Sequence, residues 1–311
     1  DDGLITALSP GKATITIKAI DGSRQTETID ITVLNDLLIT GDFVDSDNEV
    51  IVLDKTYGNL TIDSSVGDAD IYLGGVTVRN ILTMDSGDYS VALYDSVINE
   101  LVIEDVQGEI ESFAVKEDED KAPGLQVGEN TEISKLRARV SASIRQEDGS
   151  EIEGIEFTQD AEGKITIYLE NYSGGLILDA SLGDLEIVST GCNLDSVTVN
   201  GNENAGNVLL TNGGDSEIGD LKLTGAAKVN LDVPAKEVTI DKKANRASLT
   251  ASEGIGTLNN EGLGSTVTVA KNGAIDNFNA NGEKAKIEVA AGGYVGTANI
   301  NGAGNLLTGA G

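Results

Sequence analysis

Three arginines in one short segment carry the clearest binding chemistry in this sequence. Arg137, Arg139 and Arg145 occupy odd-numbered positions of residues 136–145, so they share one face of an extended chain. The even-numbered positions are apolar: Leu136, Ala138, Val140, Ala142 and Ile144. Because a guanidinium group binds a carboxylate through two parallel hydrogen bonds, the row could bind a carboxylated glycan. It could equally pair with neighbouring acidic segments of the same chain.

A short acidic segment offers spaced oxygen ligands for calcium. Asp45, Asp47 and Glu49 alternate along residues 45–49 and are the candidate metal ligands. The EF-hand pattern is not met, because Val50 stands where the turn glycine belongs and Thr56 where the bidentate glutamate belongs. The segment is predicted to be a solvated acidic turn, with calcium as the cofactor to test.

The composition restricts catalysis to a few residue types. The chain has no His, which excludes Ser/His/Asp triads, Cys/His dyads and His-containing zinc sites. A polysaccharide lyase or hydrolase would use clustered carboxylates, with Lys or Arg as a base in the lyase. Four aspartates recur at equivalent places of an internal repeat: Asp63, Asp68, Asp179 and Asp184. Because a repeated position usually serves the structure, no catalytic residue is predicted.

The charge balance limits the partners. The 311 residues include 52 Asp and Glu against 21 Lys and Arg, which leaves a formal charge of −31. Such a surface repels nucleic acid and anionic membranes, and no apolar stretch approaches the ~18 residues of a membrane span. Residues 222–311 hold 9 basic and 8 acidic groups, so the whole acidic excess lies on residues 1–221. We expect salt, calcium or a basic partner to relieve the repulsion there.

Aromatic residues are few, with 7 Tyr, 4 Phe and no Trp. This number is small for a globular core and for the stacking platforms on which sugars bind. Together with 38 Gly and only 3 Pro, it favours many tight turns between short strands.

A 20-residue repeat organises the C-terminal third. Two apolar positions, one Asn and one Gly recur at this step: Ile255, Ile275 and Val295; Leu258, Phe278 and Ala298; Asn259, Asn279 and Asn299; Gly262, Gly282 and Gly302. Alternating segments at 266–269 and 286–289 lie between them, as expected for strands with one buried face.

The apolar pair recurs upstream, at Val78/Ile81, Ile98/Leu101, Ile133/Leu136, Leu194/Val197, Ile218/Leu221 and Ala235/Val238. Insertions are expected near 115–130, where a charged run contains a proline, and near 145–164. Residues 51–71 also align without gaps on residues 167–187, with nine of 21 positions identical. Continuing that register places Cys192 opposite Val76, so the thiol is predicted to be a small buried hydrophobe.

These periods predict an all-β protein, a parallel β-helix with about 20 residues per coil. Residues 35–311 would form on the order of 13 coils, a rod roughly 60 Å long, because coils stack at about 4.8 Å. The Asn259 series should then form a side-chain ladder at a turn, and small aliphatic residues should fill the interior. Residues 1–34 form a separate short β segment.

Residues 1–34 resemble the closing strands of a bacterial immunoglobulin-like module of group 2. The marks are Gly3, Thr6-Ala7, Gly11, Ala13, Ile15 and Ile17, over about a tenth of the chain. A whole module needs roughly twice as many residues, so the segment is either part of a module or a strand pair that caps the first coil. Beyond residue 34 the coils are similar in pattern to the β-helical regions of surface-layer and adhesin-like proteins of Gram-positive bacteria. The resemblance implies an exported protein of the bacterial cell surface.

Two functions follow as hypotheses. The first is a non-catalytic extracellular segment of a bacterial surface protein, a stalk or adhesin-like rod whose partner is a glycan or a host or cell-wall component. We expect it to continue into further domains, because Leu306 and Leu307 begin another coil. The alternative is a carbohydrate-active β-helix enzyme, a lyase or hydrolase, acting on an acidic polysaccharide. The enzyme should have a groove lined by charged residues from three or more coils and walled by long loops.

Overall fold

The computed structural model describes residues 9–108, 112–115 and 124–309. This part of the chain is almost entirely β-structure, with two short 3-10 turns at Gly41–Phe43 and Ser64–Val66. The first strands are β1 (Gly11–Lys18), β2 (Thr26–Val33), β3 (Leu37–Ile39), β4 (Glu49–Leu53), β5 (Thr56–Tyr57), β6 (Leu60–Ile62), β7 (Asp70–Gly74), β8 (Thr77–Asp85), β9 (Ser90–Tyr94), β10 (Val97–Glu104), β11 (Ser112–Phe113), β12 (Leu125–Val127), β13 (Glu132–Ile133), β14 (Leu136–Ala138), β15 (Ser141–Gln146) and β16 (Glu151–Ile152). The others are β17 (Ile155–Thr158), β18 (Lys164–Glu170), β19 (Ser173–Asp179), β20 (Asp184–Thr190), β21 (Asn193–Asn200), β22 (Asn207–Gly214), β23 (Glu217–Thr224), β24 (Lys228–Asp232), β25 (Ala235–Ile240), β26 (Ser248–Ala251), β27 (Gly254–Asn260), β28 (Thr266–Val269), β29 (Ala274–Ala280), β30 (Lys286–Val289), β31 (Tyr294–Ile300) and β32 (Leu306–Gly309).

Two parallel sheets form the body of the molecule. Sheet I has 16 strands, in the order β3-β6-β8-β10-β14-β17-β19-β21-β23-β25-β27-β29-β31 with β5, β13 and β16 beside this path. Sheet II has 14 strands, in the order β4-β7-β9-β12-β15-β18-β20-β22-β24-β26-β28-β30-β32 with β11 beside it. The chain passes from one sheet to the other at each corner, so each circuit is one coil. The structure confirms a parallel β-helix of about 13 coils.

The interior is a set of side-chain columns, because parallel pairing sets each residue over its counterpart in the next coil. One column on sheet I runs through all the coils: Ile39, Ile62, Met84, Ile103, Ala138, Phe157, Leu178, Val199, Leu223, Ile240, Asn260, Ala280 and Ile300. Aliphatic residues dominate the column, which explains how the fold needs so few aromatic residues. Asn260 is the polar exception, and its Oδ1 accepts from the Ser265 hydroxyl at 2.8 Å.

The predicted apolar marks lie in these columns, with one correction. Ile255, Ile275 and Val295 pair in successive coils, and Leu258, Phe278 and Ala298 do so beside them. In the β31 coil, however, Val295 is only partly buried and Ala298 is exposed. At the upstream pair Val78/Ile81, the prediction that Ile81 lies in the interior is wrong. A bulge in β8 sets Leu82 opposite Leu101, so Leu82 is buried and Ile81 is turned outward.

The predicted asparagine ladder exists, but it lies within strands rather than at a turn. Asn279 Nδ2 donates to Asn259 Oδ1 at 2.9 Å, and Asn299 Nδ2 donates to Asn279 Oδ1 at 3.0 Å. These residues face outward from β27, β29 and β31. The adjacent corner repeats Gly because the backbones approach closely there. A Cβ on Gly302 would lie 1.9 Å from the Gly282 carbonyl oxygen.

The long internal repeat holds at one corner and in sheet I but not along its whole length. Leu60 and Leu176 are both buried, and Cys192 is buried as predicted, where burial raises the pKa of its thiol. In the first sheet II strand of the repeat, however, Ile51 points outward whereas Ile167 points inward, although Ile71 and Ile187 in the next sheet II strand are both buried. The gapless alignment fails there because successive side chains of a strand alternate, so a shift of one residue reverses the face.

The N-terminal segment forms a separate antiparallel pair. Strands β1 and β2 pair over eight residues, with Ile15 opposite Ile29, and most of their side chains are exposed. Among the described residues this pair joins no ladder of the solenoid. Gly3, Thr6 and Ala7 lie outside the described residues, and the immunoglobulin-like relationship stays a prediction.

The two expected insertions differ in structure. Part of the first, residues 116–123, lies outside the described residues, and the part that follows contains β12 of sheet II. Residues 145–164, expected to be the second insertion, contain β16 and β17, which pair with β13 and β14 as an ordinary coil of sheet I.

Replacing Phe278 by Asp tests the interior columns. Phe278 is fully buried between Leu258 and Ala298, so an unpaired carboxylate there should lower the free energy of unfolding by roughly 3–5 kcal/mol. Urea unfolding followed by circular dichroism measures the change. Asn277→Asp adds the same charge at an exposed neighbour and should have little effect. Equal stability of the two variants would show that the buried face is misassigned.

Candidate ligand-binding surface

The arginine row is divided between the two sheets. Strand β14 belongs to sheet I and β15 to sheet II, so the chain turns a corner at residues 139–140. The five intervening apolar residues are all buried, as the alternation predicts. Arg137 and Arg139 therefore lie on the sheet I side, whereas Arg145 lies on the outer face of sheet II.

The sheet I arginines form ion pairs with carboxylates of neighbouring coils. Arg137 Nη1 lies 3.0 Å from Glu100 Oε1, and its Nε lies 3.4 Å from Glu156 Oε2. Lys135 Nζ also contacts Glu156 Oε2, at 2.8 Å, and Arg139 Nη1 lies 3.6 Å from Glu104 Oε2. The hydrogen bond from Lys135, followed by the nearby positive charges, lowers the pKa of Glu156. This geometry fits the structural alternative for the row, and glycan binding by these side chains stays a prediction.

Arg145 has a different setting. Its Nη2 donates to Glu170 Oε2 at 2.8 Å, and Glu170 is its ladder partner in the next coil. A shallow open groove begins here, lined by Arg145, Gln146, Glu147, Asp148, Glu170 and Asn171. On its other side Arg145 pairs in register with Gln126, whose side chain contacts Tyr94.

Four residues on the outer face of sheet II form what we call the tyrosine patch: Ile51, Leu53, Tyr72 and Tyr94. Ile51 is 58% exposed, Leu53 50% and Tyr72 38%. The rings of Tyr72 and Tyr94 have centroids 5.7 Å apart and planes inclined by 25°. Although aromatic residues are few, two of them are thus brought together at this surface.

Two glycines allow the tyrosine rings to lie against the sheet. A Cβ on Gly74 would lie 2.8 Å from the Tyr72 ring and 2.9 Å from the Leu53 side chain. A Cβ on Gly128, in the next coil, would lie 2.1 Å from the Tyr94 ring. The patch therefore depends on the absence of side chains beneath it. The sequence hides this relationship, since Gly128 is 34 residues from Tyr94.

Polar groups border the patch in fixed positions. Gln126 Nε2 donates to the Tyr94 hydroxyl at 2.6 Å and to Glu147 Oε1 at 2.5 Å. Burial, and then the nearby Glu147 carboxylate, raise the pKa of Tyr94, so its hydroxyl remains protonated. On the opposite border Ser90 Oγ donates to Asp70 Oδ1 at 2.6 Å, and Asp70 pairs in register with Glu49.

The candidate calcium ligands occupy a tight turn. Asp45 Oδ1 accepts from the backbone N–H groups of Asp47 and Glu49, at 2.9 and 3.0 Å. Asn48 has a left-handed backbone, with φ of 64°, and its side-chain amide donates to Asp68 in the next coil. One Asp45 oxygen is thus engaged in forming the turn, and calcium binding here stays a prediction.

The aspartates of the internal repeat also shape corners. Asp63 Oδ1 accepts from the Ser65 N–H at 2.9 Å, and Asp184 Oδ1 accepts from the N–H of Asn207 at 2.8 Å. Asp179 accepts from the Ser181 hydroxyl. Each carboxylate thereby satisfies local polar groups, which is the role expected of a repeated residue. Within residues 9–108, 112–115 and 124–309, no three acidic or thiol side chains are grouped as a metal site would require.

The pH dependence of stability tests the sheet I ion pairs. Because the folded-state pKa of Glu156 lies below its ordinary value of 4.5, its contribution is present above that pH and is lost as the pH falls through the folded pKa. Glu156→Gln should lower the free energy of unfolding by about 0.5–1 kcal/mol at pH 7 and have little effect near pH 2. Urea titrations at both pH values measure this, with the exposed Glu151→Gln as the control. A deficit that is the same at both pH values would contradict an electrostatic origin.

Calcium and sodium titrations test the acidic two-thirds. We expect millimolar calcium to raise the melting temperature by relieving repulsion on residues 1–221, and sodium at equal ionic strength should match it if screening is diffuse. A specific site would instead saturate at low calcium, and that signal should vanish in Asp45→Asn/Asp47→Asn, where amide oxygens can keep the turn's backbone bonds. Calorimetry separates the cases. No stabilisation by either ion would contradict the premise that this charge destabilises the fold.

No family model, no curated protein and no solved structure matches this chain. No helix among the described residues has the length and apolar character needed to cross a membrane.

Proposed function

We propose that this chain is a non-catalytic rod of a bacterial cell-surface protein, acting outside the cell as a stalk or adhesin-like segment. The observation that carries the proposal is the unbroken parallel ladder of about 13 coils in two sheets. At about 4.8 Å per coil the body is roughly 60 Å long. Because each coil is hydrogen-bonded to the next through both sheets, such a body suits the display of surfaces at a distance.

The outer surface supports a structural role. Its side chains are largely paired with their counterparts one coil away, as in the asparagine ladder and the Arg137 ion pairs. From Leu125 to Gly309 the connections between strands are seven residues or fewer, so they form no tall walls. Short connections also leave little chain for a protease to cut, which suits a protein exposed outside the cell.

The enzyme alternative has less support. Its carboxylates would be the recurring aspartates, and these accept hydrogen bonds that form corners. The groove beside Arg145 is shallow and open, whereas a polysaccharide lyase or hydrolase needs its carboxylates held around the bond that breaks. Arg145 itself is paired with Glu170, which fits a role in holding neighbouring coils together.

An assay for cleavage separates the two functions. The purified chain is incubated with polygalacturonate, alginate and a neutral β-glucan, with and without calcium, and new reducing ends and unsaturated uronates are measured. We expect neither product, and electron micrographs of the same sample should show straight rods roughly 60 Å long.

Product that disappears in Arg145→Lys or Glu170→Gln would contradict the proposal and favour the enzyme. The exposed Lys271→Arg serves as the matched control, since it lies on a distant coil. Product that persists equally in all variants would place an active site elsewhere on the chain and would also contradict the proposal.

A further inference from the structure

We propose that the tyrosine patch on sheet II binds an uncharged polysaccharide chain. The inference rests on the proposed function in one respect, that the rod holds a glycan without cleaving it. It is carried by three features of the described surface: the stacked tyrosine rings, the exposed aliphatic neighbours and the border of oriented acceptors.

The rings present the kind of surface that a sugar ring covers. Tyr72 is 38% exposed and Tyr94 is half-buried, and Gly74 and Gly128 leave room for the two rings at the surface of the sheet. With centroids 5.7 Å apart and planes inclined by 25°, the rings are stacked on each other and form one aromatic unit. Apolar C–H groups of pyranose rings pack on exposed aromatic surface, because aromatic rings are apolar and electron-rich.

The aliphatic residues extend the apolar surface along the coil axis. Ile51 and Leu53 stand on the strand before Tyr72, and both are at least half exposed. Elsewhere the outer face of sheet II is mostly polar, with Asn230, Thr250 and Thr268 at outward positions. Apart from Leu306 and Leu307 on the last strand, the large apolar side chains that are exposed on the described strands of this sheet lie in the tyrosine patch, as expected of a binding surface.

The border selects an uncharged ligand. Glu147 accepts from Gln126, Asp70 accepts from Ser90, and Glu170 is paired with Arg145, so each carboxylate has a fixed orientation. Their oxygens can accept further hydrogen bonds from hydroxyl groups. An acidic polysaccharide would meet repulsion from these carboxylates and from the net charge of −31. A basic peptide would compete with the donors that already hold the carboxylates.

The length of the surface suits a chain rather than a single sugar. From β4 to β15 the ladder takes four steps, which is about 19 Å at 4.8 Å per step. Tyr72 lines an open groove together with Ile51, Asp70 and Ser90, and a second groove begins at Arg145. A polysaccharide lying along the coil axis would cover the stacked tyrosines at the first groove and reach the second groove at Arg145.

Affinity electrophoresis of the full chain tests the proposal. The probes are hydroxyethyl cellulose, galactomannan and a mixed-linkage β-glucan, each cast into a native gel, with polygalacturonate and poly-L-lysine as charged comparisons. We expect at least one neutral polysaccharide to retard the protein. Tyr72→Ala and Tyr94→Ala should each weaken the apparent Kd about tenfold. Tyr294→Ala, which removes a more exposed tyrosine from β31 of sheet I, should leave it unchanged.

Gly128→Ala provides a second variant that keeps both tyrosines. Its Cβ would occupy the space of the Tyr94 ring, so the ring must lift and binding should fall although no aromatic group is lost. Thermal melts verify that each variant is folded, and a variant that melts far below the parent is replaced by Tyr94→Ser or Tyr72→Ser.

The possible results separate the two proposals. Retardation by no neutral polysaccharide, or equal retardation of the parent and both tyrosine variants, would overturn this inference while leaving the non-catalytic rod intact. Retardation by poly-L-lysine alone would overturn it in favour of a basic partner. Release of reducing ends from a bound glucan would contradict the proposed function, and continued dependence of binding on Tyr72 and Tyr94 would still support the patch.

Discussion

The parallel backbone ladder between successive coils is the interaction on which the rest of the structure depends. Its hydrogen bonds set a spacing of about 4.8 Å and leave each residue directly over its counterpart. The interior columns follow from this register, because an aliphatic residue in one coil is covered by another in the next. The same register acts on the outside, where asparagine amides bond to their copies at 2.9 and 3.0 Å. One geometric constraint therefore determines both the core and the chemistry of the surface.

Stacking one carboxylate over another in successive coils is destabilising, because like charges repel. In this chain the repulsion is reduced by nearby basic residues and backbone N–H groups. On sheet I a basic residue lies between carboxylates of adjacent coils, as Arg137 does between Glu100 and Glu156. On sheet II Arg145 faces Glu170 in the same way. Elsewhere aspartates are used at corners, where backbone N–H groups satisfy them. The tyrosine patch departs from this pattern, since it places apolar side chains outside and glycines beneath them, a combination that the solenoid itself does not need.

Much of the fold could be predicted from the sequence, because a strict 20-residue period names the residues that stack. Ile255, Ile275 and Val295 are the clearest case. The prediction failed where the 20-residue spacing is interrupted. The bulge in β8 buries Leu82 instead of Ile81, and a shift of one residue in β4 turns Ile51 outward. The division of the arginine row between two sheets could not be predicted. Buried and outward side chains keep alternating through the corner at residues 139–140, so the pattern does not show where β14 ends. The contact between Tyr94 and Gly128 could not be predicted, because 34 residues separate them instead of the 20 of the regular repeat.

The distance between spin labels along one outward column tests the ladder most directly. Thr61, Thr198 and Asn279 lie in the same sheet I column, with six steps from Thr61 to Thr198 and four from Thr198 to Asn279. Labels on cysteines introduced in pairs at these positions should therefore be about 29, 19 and 48 Å apart, rising in proportion to the number of steps. Native Cys192 is buried and should remain unlabelled. A Thr61 to Asn279 distance much shorter than the sum of the other two would contradict a straight ladder and, with it, the account of both core and surface.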